Sequence, residues 1–133
     1  MYVAQAAKFN NWTKMIEWDK FIRDESVPVV VADDRGLIIQ INKLFERTYS
    51  WSAAELLGQP ISSIIPHNLR DAHHMGFSRY KLGGISKLLN TPLDLEILTG
   101  NDQVELAQHY ITSHEEDGKI FFAASIIPKT NRE

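Results

Sequence analysis

The sequence predicts one α+β domain, an antiparallel sheet with short helices on one face. Three observations lead to this fold class: two β-branched segments form a hairpin early in the chain, short helical patterns follow, and three strand-like segments come last. The chain has 133 residues, 44% of them apolar, which suffices to bury about two-thirds of its unfolded surface. We therefore expect one compact domain with its own core.

A helix is predicted ahead of the sheet, from Asn11 to Arg23, because apolar residues recur there at helical spacing with charged residues between them. Such a helix can pack on its own domain or also pair with a second copy of itself. Two tryptophans on so short a helix favour the second interpretation, since Trp is enriched in interface cores. The expected dimer interface comprises Trp12, Met15, Ile16, Trp18 and Ile22.

The first half of the predicted sheet is a hairpin. Its strands are Pro28–Ala32 and Leu37–Ile41, joined by a turn at Asp33–Gly36. A helix from Asn42 to Tyr49 follows the hairpin. Ser52 and Glu55 then match the capping box, so a second short helix is expected from Ser52 to Gly58.

A polar helix from about His67 to Leu82, which ends at Gly83-Gly84, separates the hairpin from the last third of the chain. That last third is predicted to be β-structure, with alternating apolar and polar residues and two turns. The three strands are Ser86–Leu98, Val104–Ser113 and Lys119–Ile127, and the turns are Thr99–Asp102 and Glu115–Gly118.

Composition excludes several classes of function. No cysteine is present, so disulfides, thiolate nucleophiles, cysteine-ligated metals and cysteinyl chromophore adducts are ruled out. A net charge of −3 argues against nucleic acid as a partner. The start of the chain lacks the pattern of a signal peptide, and no apolar run is long enough to span a bilayer, so a cytoplasmic location is expected.

Taken in order, the residues resemble a PAS domain, the small sensor and interaction module of signalling proteins. The segment from Asp33 to Ile38 resembles the first hairpin of that family, and Asn42 stands where the family favours Asn. Ser50–Gly58 resembles its Gly-Tyr-Ser-x-x-Glu-Leu-x-Gly segment, with Ser50 in place of the usual Gly and Trp51 in place of the usual Tyr. Further on, Pro66, Arg70 and His73 resemble a Pro-x-x-x-Arg-x-x-His pattern, and Thr99–Asp102 replaces a common Lys-Asp-Gly turn.

The resemblance implies a PAS fold, a five-stranded antiparallel sheet with short helices on one face and an N-terminal flanking helix. The implied boundaries are residues 1–26 for the flanking helix, 27–128 for the PAS domain and 129–133 for a polar exit towards an output domain or the end of the chain. The implied function is sensing: a small ligand or cofactor in the pocket regulates an attached or associated kinase, cyclase or transcription regulator through rearrangement of a homodimer. A ligand-free PAS domain acting only in protein association is the alternative.

A pocket between the sheet and its helices follows from the same resemblance. Oxygen-sensing haem members of the family carry their iron-binding His at the place of His73, so haem b is a minority possibility, and His73 is a metal ligand only in that case. Flavin is less favoured, and a fatty acid, another small apolar molecule or an empty pocket remain open. The candidate pocket residues are Leu44, Phe45, Ile64, Arg70, His73, Phe77, Leu93 and Leu95, and for each apolar one taken alone core packing is the simpler interpretation.

The sequence contains little that indicates catalysis. Asp33 and Asp34 are adjacent in a turn, where an Asx-turn is the simpler interpretation. There is no nucleophile elbow, phosphate-binding glycine loop or His-Glu-x-x-His motif. We therefore expect no enzyme activity and no catalytic residue, with a small α+β enzyme as a distant alternative.

Overall fold

The computed structural model describes residues 2–71 and 89–129 of the chain, with side chains from residue 13 onward within those ranges. Helix α1 precedes a hairpin of β1 and β2, two short helices and two 3₁₀ turns follow, and three strands complete the fold. The elements are α1 (Tyr2–Arg23), β1 (Val29–Ala32), β2 (Ile38–Ile41), α2 (Lys43–Tyr49), α3 (Ala53–Leu56), 3₁₀ turns at Ile61–Ile64 and His67–Leu69, β3 (Leu93–Leu98), β4 (Val104–Glu116) and β5 (Lys119–Pro128).

The five strands form one antiparallel sheet in the order β2-β1-β5-β4-β3. The first strand of the chain therefore lies in the middle of the sheet beside the last, with Val29 opposite Ser125 and Ala32 opposite Phe122. The longest pairing joins β4 and β5, from Ala107 opposite Pro128 to Glu116 opposite Lys119. The predicted fold class is confirmed.

The main core lies between one face of the sheet, here called the inner face, and the short helices. Every second residue of a strand points to this face, as the two-residue period of a strand requires. Val30 contributes to the core from β1, and its neighbours Val29 and Val31 point the other way. The buried core residues are Val30, Ile38, Phe45, Tyr49, Leu56, Ile64, Ile97, Ala107 and Ile126.

Helix α1 packs on the opposite, outer face of the sheet. Trp18, Phe21 and Ile22 lie against a small buried cluster formed by Val29, Val31 and Ala123. The sheet is thus the middle layer of three, with core helices on one side and α1 on the other. The prediction of short helices on one face and a flanking helix holds, and the structure adds where the flanking helix sits.

Two helix starts follow the local signals in the sequence. Asn42 caps α2, with its side chain accepting a hydrogen bond from the backbone N–H of Phe45. Ser52 and Glu55 form both halves of the predicted capping box at α3. Helix α3 itself ends at Leu56, two residues before Gly58, whose φ of 85° lies in the left-handed region.

Several boundaries differ from the prediction, beginning with α1, β3 and the polar helix. Helix α1 begins at Tyr2 instead of Asn11, because the preceding segment contains no Gly or Pro that would end it. Strand β3 begins at Leu93, because Pro92 has no N–H to donate and Asn90 has a φ of 60°. The polar helix predicted from His67 starts with a 3₁₀ turn, and residues 72–88 of that prediction lie outside the described residues.

The predicted turn at Glu115–Gly118 is wrong by two residues. Glu115 and Glu116 belong to β4 and pair with Ile120 and Lys119 of β5. Asp117 and Gly118 alone make the turn, both at positive φ (52° and 78°), as a two-residue hairpin loop of the Asp-Gly type requires. None of the helices described here is long and apolar enough to cross a membrane.

Candidate functional site

The inner face of the sheet divides into a closely packed half and a less covered half. The packed half is the core between β1, β5 and the short helices. Towards the edge strand β3, burial falls: Leu93 and Ile111 are half-buried, and Leu95 is 39% exposed. Apolar side chains that point to the inner face without full cover are the part of this sheet best suited to a small apolar ligand.

The predicted pocket residues separate between these halves. Phe45 and Ile64 lie together in the buried core, and Leu44 is half-buried on α2. Leu93 and Leu95 lie on β3 in the less covered half. Contact of these residues with a ligand stays a prediction.

Three further predicted pocket residues lie at or beyond the limit of the described chain. Arg70 is half-buried, and its Nε donates a hydrogen bond to the backbone carbonyl of Ile65 at 3.0 Å. This bond occupies one of the guanidinium N–H groups. His73 and Phe77 lie outside the described residues, so the proposed haem ligand has no geometry here.

His109 is a buried polar residue that the sequence analysis did not select. It lies on β4 between Ala107 and Ile111, all three on the inner face, and only 9% of it is exposed. Its Nδ1 lies 3.1 Å from the carbonyl oxygen of Ala107. Burial lowers the pKa of His109, an effect that the bond to Ala107 only partly offsets, so the imidazole is neutral near pH 7.

Two aromatic side chains link separate elements of the packed half through hydrogen bonds. The buried hydroxyl of Tyr49 donates to the carbonyl of Ile126 at 2.7 Å, joining α2 to β5. Burial, and secondarily the carboxylate of Glu105, raises the pKa of Tyr49, so its hydroxyl keeps its proton. The indole N–H of Trp51 donates to Leu98 at 3.0 Å. This half is therefore held rigidly in place.

A close backbone approach joins the end of α2 to the turn after β3. The amide of Gly100 donates to Tyr49 at 2.8 Å. A Cβ at Gly100 would lie 1.8 Å from the backbone oxygen of Ser50, a distance that no side chain can occupy. Glycine is required here by space, because the two backbones are in contact.

Asn42 connects the segment after α1 to the inner layer. Its amide nitrogen donates to the carbonyls of Asp24 and Val27 at 2.9 and 2.7 Å. Its amide oxygen accepts from the N–H groups of Val29 and Phe45 at 3.1 and 2.9 Å. One side chain thus ties the α1–β1 linker, β1 and α2 together.

The predicted dimer residues divide into two groups. Trp18 stacks on His114 of β4, with ring centroids 5.0 Å apart and planes 13° apart, and Ile22 packs on the outer face. Met15 and Ile16 are exposed, at 41% and 49%. The side chain of Trp12 is not among those described. Trp18 and Ile22 are therefore engaged within the chain, and the dimer stays a prediction.

An open groove of about 850 Å³ runs between α1 and the β4–β5 hairpin. Met15, Trp18 and Phe21 line it from the helix, and Tyr110 and His114 line it from the sheet. Within residues 2–71 and 89–129, no three His, Asp or Glu side chains come together as a metal site. The groove is a second surface, besides the inner face, at which the described residues could receive another molecule.

Comparison with known proteins identifies the domain type. The sheet, its inner core and the helix on its outer face define a small α+β domain. The family model of the PAS fold matches residues 16–88, more than half of the chain. The chain belongs to the PAS family.

The curated relatives are much longer than this chain. An uncharacterized protein of Azorhizobium caulinodans is 27% identical over 99 residues, which cover 74% of this chain and 14% of that protein. A probable serine/threonine-protein kinase of Dictyostelium discoideum is 28% identical over 99 residues, which cover 74% of this chain and 7% of that protein. The chain thus spans less than a sixth of either relative.

Solved structures share the fold at low sequence identity. The PAS domain of a two-component sensor histidine kinase superposes with a TM-score of 0.62 at 15% identity, covering 96% of this chain and 99% of that one. The PAS domain of BvgS from Bordetella pertussis superposes with a TM-score of 0.61 at 15% identity, covering 90% and 89%. The likeness concerns the fold.

Proposed function

We propose that this PAS domain is the sensory part of a cytoplasmic signalling protein. A small ligand or cofactor binds on the inner face of the sheet, and its binding changes how α1 pairs with α1 of a second copy. The rearranged dimer then regulates an output that is attached to the chain or associated with it, namely a kinase, a cyclase or a transcription regulator. The domain itself carries out no catalysis.

The observation that carries this proposal is the three-layer arrangement around β1. Val30 packs into the core on the inner face, while Val29 and Val31 pack under α1 on the outer face. Alternate residues of β1 contact the two layers. A ligand that moves β1 from the inner face therefore also moves the outer-face residues on which α1 packs. A ligand acts in this way only if it binds two states of the domain with different affinity.

The names of the similar proteins support an attached output. The Dictyostelium discoideum relative is named as a kinase, and one structural neighbour is part of a sensor histidine kinase. Each is far from this chain in sequence, so the identity of the output stays open among the three classes.

Ligand binding is tested on purified protein by absorption spectroscopy and native mass spectrometry. The protein is expressed with a haem precursor, and separate samples are incubated with haemin or flavin. A Soret band that disappears in His73→Ala identifies haem, and a flavin spectrum identifies flavin. An added mass that is lost on denaturation identifies a colourless ligand. A bare protein in every sample refutes the sensory function and favours the alternative, a PAS domain that acts only in protein association.

The dimer is tested with substitutions that leave the packing of α1 intact. Removing residues 1–25 would also uncover the apolar outer face, so Met15→Glu with Ile16→Glu is the cleaner variant. Lys20→Ala, at another exposed position of α1, is the matched control. We expect a dimer by analytical ultracentrifugation for the wild type and the control, and a monomer for the double variant. A wild type that stays monomeric at every concentration refutes the dimer.

A small α+β enzyme remains the distant alternative. It would require a polar pocket with a carboxylate or imidazole of strongly perturbed pKa that touches a substrate. His109 is the one described imidazole whose pKa is shifted by burial, and its described surroundings on the sheet are apolar. This environment is better suited to ligand binding than to proton transfer.

A further inference from the structure

The imidazole of His109 lies where the packed half of the inner face meets the less covered half. On β5 it faces Ile126, which belongs to the buried core, and on β3 it faces Leu93, which is half-buried. Its neighbours along the same face of β4 are Ala107 and Ile111. A ligand bound against Leu93 and Leu95 would therefore meet one polar group of the sheet, at this boundary.

The hydrogen bond of Nδ1 determines what the other ring nitrogen can do. A carbonyl oxygen only accepts, so the Nδ1 that faces Ala107 at 3.1 Å carries the proton. A neutral imidazole has one N–H, and burial keeps His109 neutral. Nε2 therefore presents a lone pair and no proton, which makes it a hydrogen-bond acceptor.

Among the described residues, Nε2 of His109 has no hydrogen-bond partner, although the residue is more than nine-tenths buried. Buried polar atoms are nearly always hydrogen-bonded, because an unpaired one forfeits its bonds to water. A leucine would fill the same apolar position without that cost. An unpaired acceptor at this position costs free energy. Recognition of a donor group on a ligand would explain why histidine occupies it.

We propose that Nε2 of His109 accepts a hydrogen bond from a hydroxyl or N–H group of a small, otherwise apolar ligand that lies against Leu93 and Leu95. This inference rests on the proposed ligand-binding function and specifies the chemistry of the ligand. An acceptor without a proton cannot pair with a ligand that also only accepts, such as a ketone or a carboxylate. His109 is accordingly a specificity-determining residue, and the apolar part of the face supplies the remaining contact.

The test uses matched pairs of probes that differ by one donor: p-cresol against toluene, and indole against benzothiophene. Affinities are measured by NMR titration of the purified wild-type chain. We expect the member with the donor to bind about tenfold more tightly, which corresponds to about 1.4 kcal/mol. In His109→Leu the preference should vanish while the apolar member still binds, and His109→Gln, which offers a carbonyl oxygen, should restore part of it.

Two controls keep the result interpretable. His67→Leu removes an exposed imidazole in the second 3₁₀ turn and should leave both affinities unchanged. The ¹⁵N resonance of His109 Nε2 in the protein without probe should be that of an unbonded acceptor, and it should shift on adding p-cresol. A resonance already bonded before the probe is added overturns the inference, because a residue of the chain then supplies the donor.

Other outcomes would overturn the inference about His109, and they are distinct from the outcomes that would refute the proposed sensory function. Equal binding within each pair, or no binding of any probe, refutes the role of His109. A Soret band that depends on His109 would make Nε2 an iron ligand and refute its role as a hydrogen-bond acceptor. If a natural ligand copurifies equally with wild type and His109→Leu, the sensory function survives and this assignment fails.

Discussion

At the scale of single residues, a few buried and half-buried side chains with polar groups hold the layers in register. Asn42 makes four hydrogen bonds to three segments, and Tyr49 and Trp51 each reach a backbone carbonyl on another element. Such bonds add little net free energy individually, but losing one partner leaves a buried group unpaired. These hydrogen bonds therefore fix the relative positions of the layers more precisely than apolar packing alone would.

Tyr49→Phe isolates one of these bonds. The ring still fills the core, while the carbonyl of Ile126 loses the hydroxyl that donates to it at 2.7 Å. We expect a loss of about 1 to 2 kcal/mol in the free energy of unfolding, measured by urea denaturation. Tyr110→Phe is the control, because Tyr110 contacts Phe21 through its ring on the outer face. An equal effect of both substitutions would show that the Tyr49 bond has no special weight.

Residue identities were predictable where the signal is local. Asn42 as a helix start and Ser52 with Glu55 as a capping box depend on neighbours within three residues, and both are observed. His109 was not predictable in this way. In Gln108-His109 the two-residue period of a strand allows either residue to face the core, and only the register with β3 and β5 decides.

At the scale of elements, α1 is held to the outer face by a few aromatic contacts. Trp18→Ala removes the stack on His114 and part of the packing on the apolar cluster. Because Trp18 is only half-buried, we expect a loss of about 2 kcal/mol, below the value typical of a fully buried Trp. Hydrogen exchange should show faster exchange in α1 than in β1 and β5.

Lys20→Ala is the control for that prediction, since Lys20 lies at an exposed position of the same helix. It should change neither stability nor exchange by a measurable amount. If Trp18→Ala accelerates exchange equally in α1 and in the central strands, then α1 does not dock as a separate element but unfolds only with the whole domain.

Gly100→Ala tests the contact between α2 and the turn after β3. The added methyl group meets the backbone of Ser50 at 1.8 Å, so one of the two segments must move, and we expect destabilisation of about 3 kcal/mol. Gly58→Ala is the matched control: φ is 85° there but the space is open, so the cost should be about 1 kcal/mol of backbone strain. Thermal unfolding of both variants measures the difference. Equal costs would contradict the steric explanation.

Element boundaries were predicted well where a single sequence feature marked them, and less well where two features favoured different boundaries. The β4–β5 turn illustrates this, because the charged Glu115 and Glu116 favoured a loop while Asp117-Gly118 is the stronger hairpin signal. Strand β3 was placed too early because its apolar pattern was weighed without Pro92, which cannot pair in a ladder.

At the scale of the whole molecule, acid should reduce stability in two separate ranges. Burial lowers the pKa of His109 in the folded state, so unfolded chains bind a proton more readily. The contribution of neutral His109 is complete above the unfolded value of about 6.5 and is lost as the pH falls below it. Urea midpoints at pH 7.5 and 5.5 measure this loss.

His109→Gln should reduce the difference between those two midpoints, since glutamine does not titrate. The carboxylates act only at lower pH. Hydrogen bonds from Ser26 lower the pKa of Asp24, and for Asp33 the bonds from Leu37 and Arg35 outweigh the raising effect of burial. Their contribution is present above about pH 3.9 and is lost below it. An unchanged midpoint difference in His109→Gln would assign the upper range to other groups.

The fold as a whole was predictable because five strand patterns, turn signals and capping motifs all pointed to one arrangement. The site was predictable only as a face of the sheet. Phe45 and Ile64 were proposed as pocket residues and lie in the core, while Leu95 is 39% exposed on β3. The burial of a strand residue depends on packing between distant segments, which no local pattern reports.

The central position of β1 beside β5 has a consequence for any larger protein that contains this domain. The chain enters the sheet at Val29 and leaves it near Pro128 at the same end, where the amide of Ile126 donates to the carbonyl of Pro28 at 2.9 Å. Val29 and its partner Ser125 are about one strand spacing apart, roughly 5 Å, and Pro128 lies three residues beyond Ser125 along β5. The segments that come together at this end of the sheet are therefore the one that links α1 to β1 and the one that follows Pro128. A displacement of β1 relative to β5 would then move the segment before β1 and the segment after β5 at the same time.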